Sequence, residues 1–194
     1  MIDSFLTSYK IILASNSPRR KQFLTDLKIP FEVKTANIDE VYPDHLVKGE
    51  ITDYLAKLKA APLEKDLKDN QILITSDTIV WHNDTALGKP VNEAEAFSML
   101  SNLSGTNHQV ISSVCLTTKK QQLVESVTTE VTFKDLTPEE INYYIANYQP
   151  FDKAGAYGIQ EWIGYIGITS IAGSYNNVVG LPTAKFYELL KKLV

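Results

Sequence analysis

Asp77 stands in the middle of an otherwise apolar run, Ile72-Leu73-Ile74-Thr75-Ser76-Asp77-Thr78-Ile79-Val80-Trp81. A carboxylate in a buried strand needs a cationic partner, a metal ion or an open cleft. General-base work, metal ligation and a hydrogen-bonded structural role all stay open for it. A second unusual stretch is Ala14-Ser15-Asn16-Ser17-Pro18-Arg19-Arg20-Lys21. Ser17 suits a helix N-cap and Pro18 the first helical position. Three cations in that first turn oppose the helix dipole, each at a cost on the order of 0.3–1 kcal/mol when exposed. Hydroxyls, unpaired backbone N–H groups and cations together suit an anion, phosphate above all; a solvated basic turn is the plain alternative.

Other polar groups stand near these. Gly88-Lys89-Pro90 follows the Asp77 run after a turn at His82-Asn83-Asp84. It is not a phosphate-binding P-loop, because the upstream glycine and the following Ser or Thr are missing. Asp39 and Glu40 end a short alternating segment, where adjacent carboxylates form a solvated rim or ligate a hard cation. Pro150 to Gln160 is small and glycine-containing, charged only at Asp152 and Lys153. Such a loop can lie against a flat ligand and read its edge with backbone groups and an amide such as Gln160; an ordinary connection is the alternative. Phosphate end, carboxylate centre and edge-reading loop make a nucleotide the simplest common ligand.

The elements around these stretches follow from periodicity. Ile11 to Ala14 reads as a buried strand. A helix after Ser17 carries Phe23, Leu24 and Leu27 on one face. Phe31 to Thr35 alternates like a half-exposed strand. Glu50 to Ala61 predicts a helix with Ile51, Tyr54, Leu55 and Leu58 inward, flanked by solvated Lys57 and Lys59, and stopped or kinked by Pro62. Asn92 and Glu95 begin a helix over Glu93 to Leu103, and Gly105 closes it. His108 to Thr117 and Leu123 to Phe133 read as long strands. Thr137-Pro138-Glu139-Glu140 opens a capping-box helix to about Tyr148. Ile163 to Ile171 is expected to be a strand, and the last helix carries Phe186, Leu189, Leu190 and Leu193.

The chain has 194 residues, net charge −4 and one cysteine. That length predicts one domain, 1–194, or two closely joined lobes without a separable linker. The acidic balance argues against a nucleic-acid partner. Cys115 cannot pair within the chain, which fits a reducing compartment, and its apolar surroundings predict a buried hydrophobe. Met1 to Tyr9 lacks the apolar segment of a signal peptide, and no run is long enough to cross a membrane. His45, His82 and His108 do not cluster, so a zinc site is not expected; His108 suits a structural hydrogen bond.

The quoted stretches resemble the Maf family of nucleoside triphosphate pyrophosphatases nearly from end to end. Ala14-Ser15-Asn16-Ser17-Pro18-Arg19-Arg20, Ser76-Asp77-Thr78, Gly88-Lys89-Pro90 and Asp152-Lys153-Ala154-Gly155-Ala156-Tyr157-Gly158-Ile159-Gln160 carry the resemblance. The last is similar to the branch that acts on dTTP and UTP. The resemblance implies hydrolysis of a nucleoside triphosphate to monophosphate and pyrophosphate with a divalent cation, Mg²⁺ or Mn²⁺. It implies Asp77 as the catalytic proton acceptor, with Arg19, Thr78 and Gln160 tied to base specificity. Arg20, Lys59 and Lys89 would contact phosphate, Glu40 would lie near the metal with Asp77, and Ser15 in the same pocket. The implied fold is α/β, an elongated mixed sheet with flanking helices in two lobes around a cleft, similar to the inosine triphosphatases. A cytoplasmic homodimer is expected. Leu58 and Glu161-Trp162 depart from the residues more usual there, Glu and glycine respectively. Two alternatives stand beside this reading: a pyrophosphatase for modified purine triphosphates such as 7-methyl-GTP, and a nucleotide-binding regulator of septum formation. An RNA-binding role is disfavoured by the charge.

Overall fold

Lys10–Leu13 forms β1, and its Ile-Ile-Leu run is buried throughout, as a strand covered on both faces requires. The computed structural model describes residues 8–193, so the signal-peptide reading of Met1 to Tyr9 falls mostly outside the described residues. Strands β2 (Phe31–Val33) and β3 (Gln71–His82) both pair with β1 in parallel. At Asn83-Asp84 the chain reverses with both residues at positive φ, the conformation a two-residue hairpin demands, and β4 (Thr85–Leu87) returns along β3. Strands β5 (Asn107–Thr117), β6 (Gln122–Phe133) and β7 (Ile168–Ala172) complete a mixed sheet of seven strands among the described residues. Its order is β2-β1-β3-β5-β6-β7, with β4 on β3. The helices are α1 (Pro18–Asp26), α2 (Gly49–Glu64), α3 (Glu93–Leu103), α4 (Pro138–Tyr148), α5 (Trp162–Gly167), α6 (Tyr175–Val179) and α7 (Thr183–Lys192). None of them is long and apolar enough to cross a membrane.

The chain divides into two compact units. The first comprises Met1–Asp77, Ser112–Val127 and Gly180–Val194; the second comprises Thr78–Ile111 and Thr128–Val179. Three of the boundaries fall inside β3, β5 and β6. In the first unit, strand alternation separates two apolar layers. Ile11, Leu13, Ile72 and Ile74 pack with Leu24 of α1 and with Phe186, Leu189 and Leu190 of α7. Ile12 and Leu73 point the other way, onto Ala60 of α2 and Leu67.

Helix α2 departs from expectation in two ways. Its buried face is Ile51, Thr52, Leu55, Ala56 and Ala60, while Tyr54 is exposed. The two alanines let the helix approach the sheet closely, which draws Lys59 inward to 16% side-chain exposure. Pro62 neither stops nor visibly ends the helix, which continues to Glu64. Pro62 lacks the N–H that would reach back to the Leu58 carbonyl, a loss that falls in the last turn of the helix.

The second unit packs α3 and α4 through Leu100, Leu103, Ile141 and Tyr144 around Val110, Val131 and Phe133, with Ile159 and Ile163 in the same core. The expected strand over Ile163 to Ile171 begins instead as α5; only Ile168–Ala172 is extended. Ile163 and Gly167, four apart, are both buried while Tyr165 is exposed, a helical period that a run rich in isoleucine disguises.

His108 is 2% exposed, and its Nε2 lies 2.7 Å from Tyr157 Oη between the rings of Phe133 and Tyr157. Burial first, then the charge of His82, pushes the imidazole down to about 3. Its folded value lies below the unfolded one, so its contribution is complete above about pH 6.5 and is lost as pH falls toward 3. Lowering the pH from 7 to 4.5 should therefore cost roughly 2–3 kcal/mol through this residue. Urea unfolding at both pH values should show that loss shrink in His108→Gln.

Candidate active site

β1 ends where the polar loop begins. Ser15 is buried, and its Oγ accepts from the backbone N–H of Ser17 (3.2 Å) and from Arg20 Nη1 (3.4 Å). Ser17 caps α1, its Oγ accepting from the N–H of Arg20 at 3.4 Å. The helix start is therefore built as its sequence suggests. Arg20 then turns inward, with Nε donating to the Gly180 carbonyl at 2.9 Å. Burial lowers the Arg20 guanidinium from its ordinary value, Asp77 and Glu40 push it back up, and Arg19 opposes them. Arg20 thus sits in the field of two carboxylates and a like charge.

Those carboxylates share one lysine. Asp77, 5% exposed on β3, has its Oδ1 2.5 Å from Lys59 Nζ. The same Nζ lies 3.1 Å from Glu40 Oε1. The helix that supplies Lys59 is fixed to the strand that supplies Asp77 by Thr75, whose Oγ1 donates to the Ala56 carbonyl at 2.7 Å. Thr75 and Asp77 are two apart and so share one face of β3. Ser76, on the other face, donates to Gly180 O at 3.5 Å, the carbonyl that also receives Arg20. Ser15, Arg20, Glu40, Lys59 and Asp77 are thereby brought together in the first unit, with Arg19 acting on Arg20 through its charge. This set lies just past the carboxyl end of β1, beyond its last parallel pair with β3, Leu13 with Ile74, the usual ligand side of parallel strands.

The solvated position read for Lys59 is corrected by this geometry: the ammonium is the counter-ion of two carboxylates. The alanines at 56 and 60 were the available signal, since small residues at that spacing bring a helix close to its neighbour. Thr75 and the Gly180 carbonyl carried no signal. Among the described residues no group of three or more His, Cys, Asp or Glu side chains could hold a metal. Two carboxylates with oxygen donors turned to one cationic atom nevertheless fit a hard cation that takes its other ligands from water and phosphate.

The second unit holds the remaining candidates. Thr78 is half-buried and, as the next residue in β3, points to the face opposite Asp77. Lys89 is exposed in its turn. That turn is tied to the glycine-containing loop by Gly155, whose N–H donates to the Gly88 carbonyl at 2.9 Å. Gly155 has φ +66°, and a methyl group there would meet Val80 Cγ2 at 2.7 Å. At the far end of the loop, Gln160 has its Oε1 buried with no hydrogen-bond partner. A buried acceptor left open is costly unless something else fills it. The sequence marks Asp152, Lys153 and Glu161 beside it but not the contacts they make. Lys153 is buried, with Nζ 2.7 Å from Asp152 Oδ1 and 3.1 Å from Glu161 Oε1. Tyr144 Oη donates to Glu161 Oε2.

Residues 10–193 match the family described as "Maf-like protein". A Flavobacterium johnsoniae protein named dTTP/UTP pyrophosphatase is 55% identical over 194 residues, covering all of both chains. A protein of the same name from Christiangramia forsetii is also 55% identical, over all of this chain and 99% of its own. A solved Mycobacterium abscessus structure, titled nucleoside-triphosphatase / dITP/XTP pyrophosphatase, aligns with TM-score 0.42 and 14% identity over 95% of this chain and 97% of that one.

Proposed function

The chain belongs to the Maf-like family, and we propose that it hydrolyses dTTP and UTP to the nucleoside monophosphate and pyrophosphate. The observation that carries this is Asp77, a buried carboxylate held by Lys59 beside Arg20 and Glu40. Mere nucleotide binding needs cations for phosphate and has no use for a carboxylate at their centre. Full-length relatives at 55% identity with that activity in their names support the substrate class.

In the proposed reaction, water attacks the α-phosphorus and its proton passes to Asp77. The bond from that phosphorus to the bridging oxygen breaks, and pyrophosphate leaves with the electron pair. Arg20, Lys59 and Lys89 orient and neutralise phosphate oxygens, and Ser15 supports Arg20. Arg19, Thr78 and Gln160 are assigned to the nucleoside end. Gln160 offers an open acceptor to the N3–H of uracil or thymine. Glu40 and Asp77 would hold Mg²⁺ or Mn²⁺, which when bound supplies further neutralisation of phosphoryl charge. A homodimer in the cytoplasm belongs to the same proposal; the buried, unpaired Cys115 supports a reducing compartment.

The test is pyrophosphate release with Mg²⁺ or Mn²⁺ from dTTP, UTP, CTP, 5-methyl-UTP, dGTP, ATP and 7-methyl-GTP. Release should be fastest from dTTP, UTP and 5-methyl-UTP. Release led by 7-methyl-GTP would move the substrate to modified purines. No release from a folded protein that still binds nucleotide would leave a regulator.

A further inference from the structure

We infer that Glu161 is a positioning residue for base selection, and that it acts by locking the turn that carries Gln160. This rests on the pyrimidine reading above. The turn is Gly158-Ile159-Gln160-Glu161, closed by the Glu161 N–H donating to the Gly158 carbonyl at 3.0 Å. Gln160 is its third residue, so its direction is fixed only as well as the two ends are. Both ends meet one side chain. The Gly158 N–H donates to Tyr144 Oη at 3.0 Å, and that hydroxyl donates to Glu161 Oε2. Burial first, then the Glu161 carboxylate, raises the Tyr144 phenol, so it keeps the proton it donates. The other carboxylate oxygen of Glu161 takes Lys153 Nζ at 3.1 Å. The ion pair lies directly on the turn: a methyl group at Gly158 would stand 2.9 Å from the Glu161 carboxyl carbon and 3.0 Å from Lys153 Cε.

Glu161 also begins α5. Its carbonyl accepts from Gly164 N at 2.9 Å, while its carboxylate makes no capping bond of its own. The next residue, Trp162, packs on Tyr143 with ring centroids 4.8 Å apart. Neighbouring residues of α4 thus grip neighbouring residues at the end of the turn. The outcome of this grip is the open, buried Oε1 of Gln160. An amide selects between uracil and cytosine only when it is held in place, because a free one can turn over and satisfy either edge.

The experiment compares kcat and KM for UTP and CTP in the wild-type protein and in Glu161→Ala, Glu161→Gln and Tyr144→Phe, with melting curves for each. Tyr144→Phe keeps the reading testable if Glu161→Ala fails to fold. The UTP-over-CTP ratio of kcat/KM should fall about fivefold or more in Glu161→Ala and Tyr144→Phe, with the loss in KM for UTP. Glu161→Gln still accepts from Tyr144 and should keep most of the ratio. A ratio unchanged in folded variants, or losses equal for UTP and CTP, would overturn the positioning role while leaving the pyrimidine reading intact. No pyrophosphate from either nucleotide in the wild-type protein would overturn that reading, and this inference with it.

Discussion

Asp77→Asn should lower kcat by about a thousandfold or more while nucleotide binding stays within a few-fold. Asparagine keeps the shape and one acceptor oxygen, so Lys59 retains a hydrogen-bond partner in addition to Glu40 at 3.1 Å. What it removes is a group able to take the proton of the attacking water, together with one charge at the centre of the cluster. Losses confined to turnover follow when a group acts on the reacting water and touches the bound nucleotide little. Pyrophosphate release gives the rate, and titration with UTP gives the affinity. Turnover within about tenfold of wild type would remove Asp77 from proton transfer. A large loss of affinity instead would make it a binding residue whose charge organises Arg20 and Lys59.

This expectation was open to a reader of the sequence alone, because a carboxylate inside an isoleucine-rich strand advertises its own cost. The same holds for α1. Ser17 and Pro18 mark its start, and the cations Arg19 and Arg20, set against the helix dipole, mark its first turn as unusual. What the sequence hid were relations between elements. Lys59 looks solvated until α2 is rotated by its alanines and pinned through Thr75 to the Ala56 carbonyl. Carbonyl groups such as that of Gly180, which receives both Arg20 and Ser76, have no signature in residue type. The loop at 150–160 was legible as unusual, yet its order depends on Tyr144, which periodicity places simply on the buried face of α4. Isoleucine-rich α5 was misread for a related reason: its apolar residues suit either period, and the glycines that permit close packing also suggest extended chain. A methyl group at Gly164 would overlap the Ile159 carbonyl oxygen, so that packing decides the conformation.

Lys59→Met should lower kcat/KM by about a hundredfold or more and, in the absence of nucleotide, tighten Mn²⁺ binding about tenfold. Methionine fills most of the space of the lysine stem but removes the ammonium that lies 2.5 Å from Asp77 and 3.1 Å from Glu40. Two carboxylates then face each other's charge with no counter-ion between them. A divalent cation that approached them in the wild-type protein had to compete with Lys59; in the variant it does not. A tenfold gain corresponds to about 1.4 kcal/mol. Catalysis should fall all the same, because the cation proposed to orient phosphate oxygens is gone. Lys59→Arg should not restore it: a planar, longer fork cannot occupy the position of a compact ammonium between two acidic groups. Titration of Mn²⁺ by electron paramagnetic resonance separates the two effects. Lost turnover with unchanged Mn²⁺ affinity would place the work of Lys59 on the substrate alone. Turnover within about threefold of wild type would mean that the lysine merely holds α2 to β3, a task that Thr75 already performs.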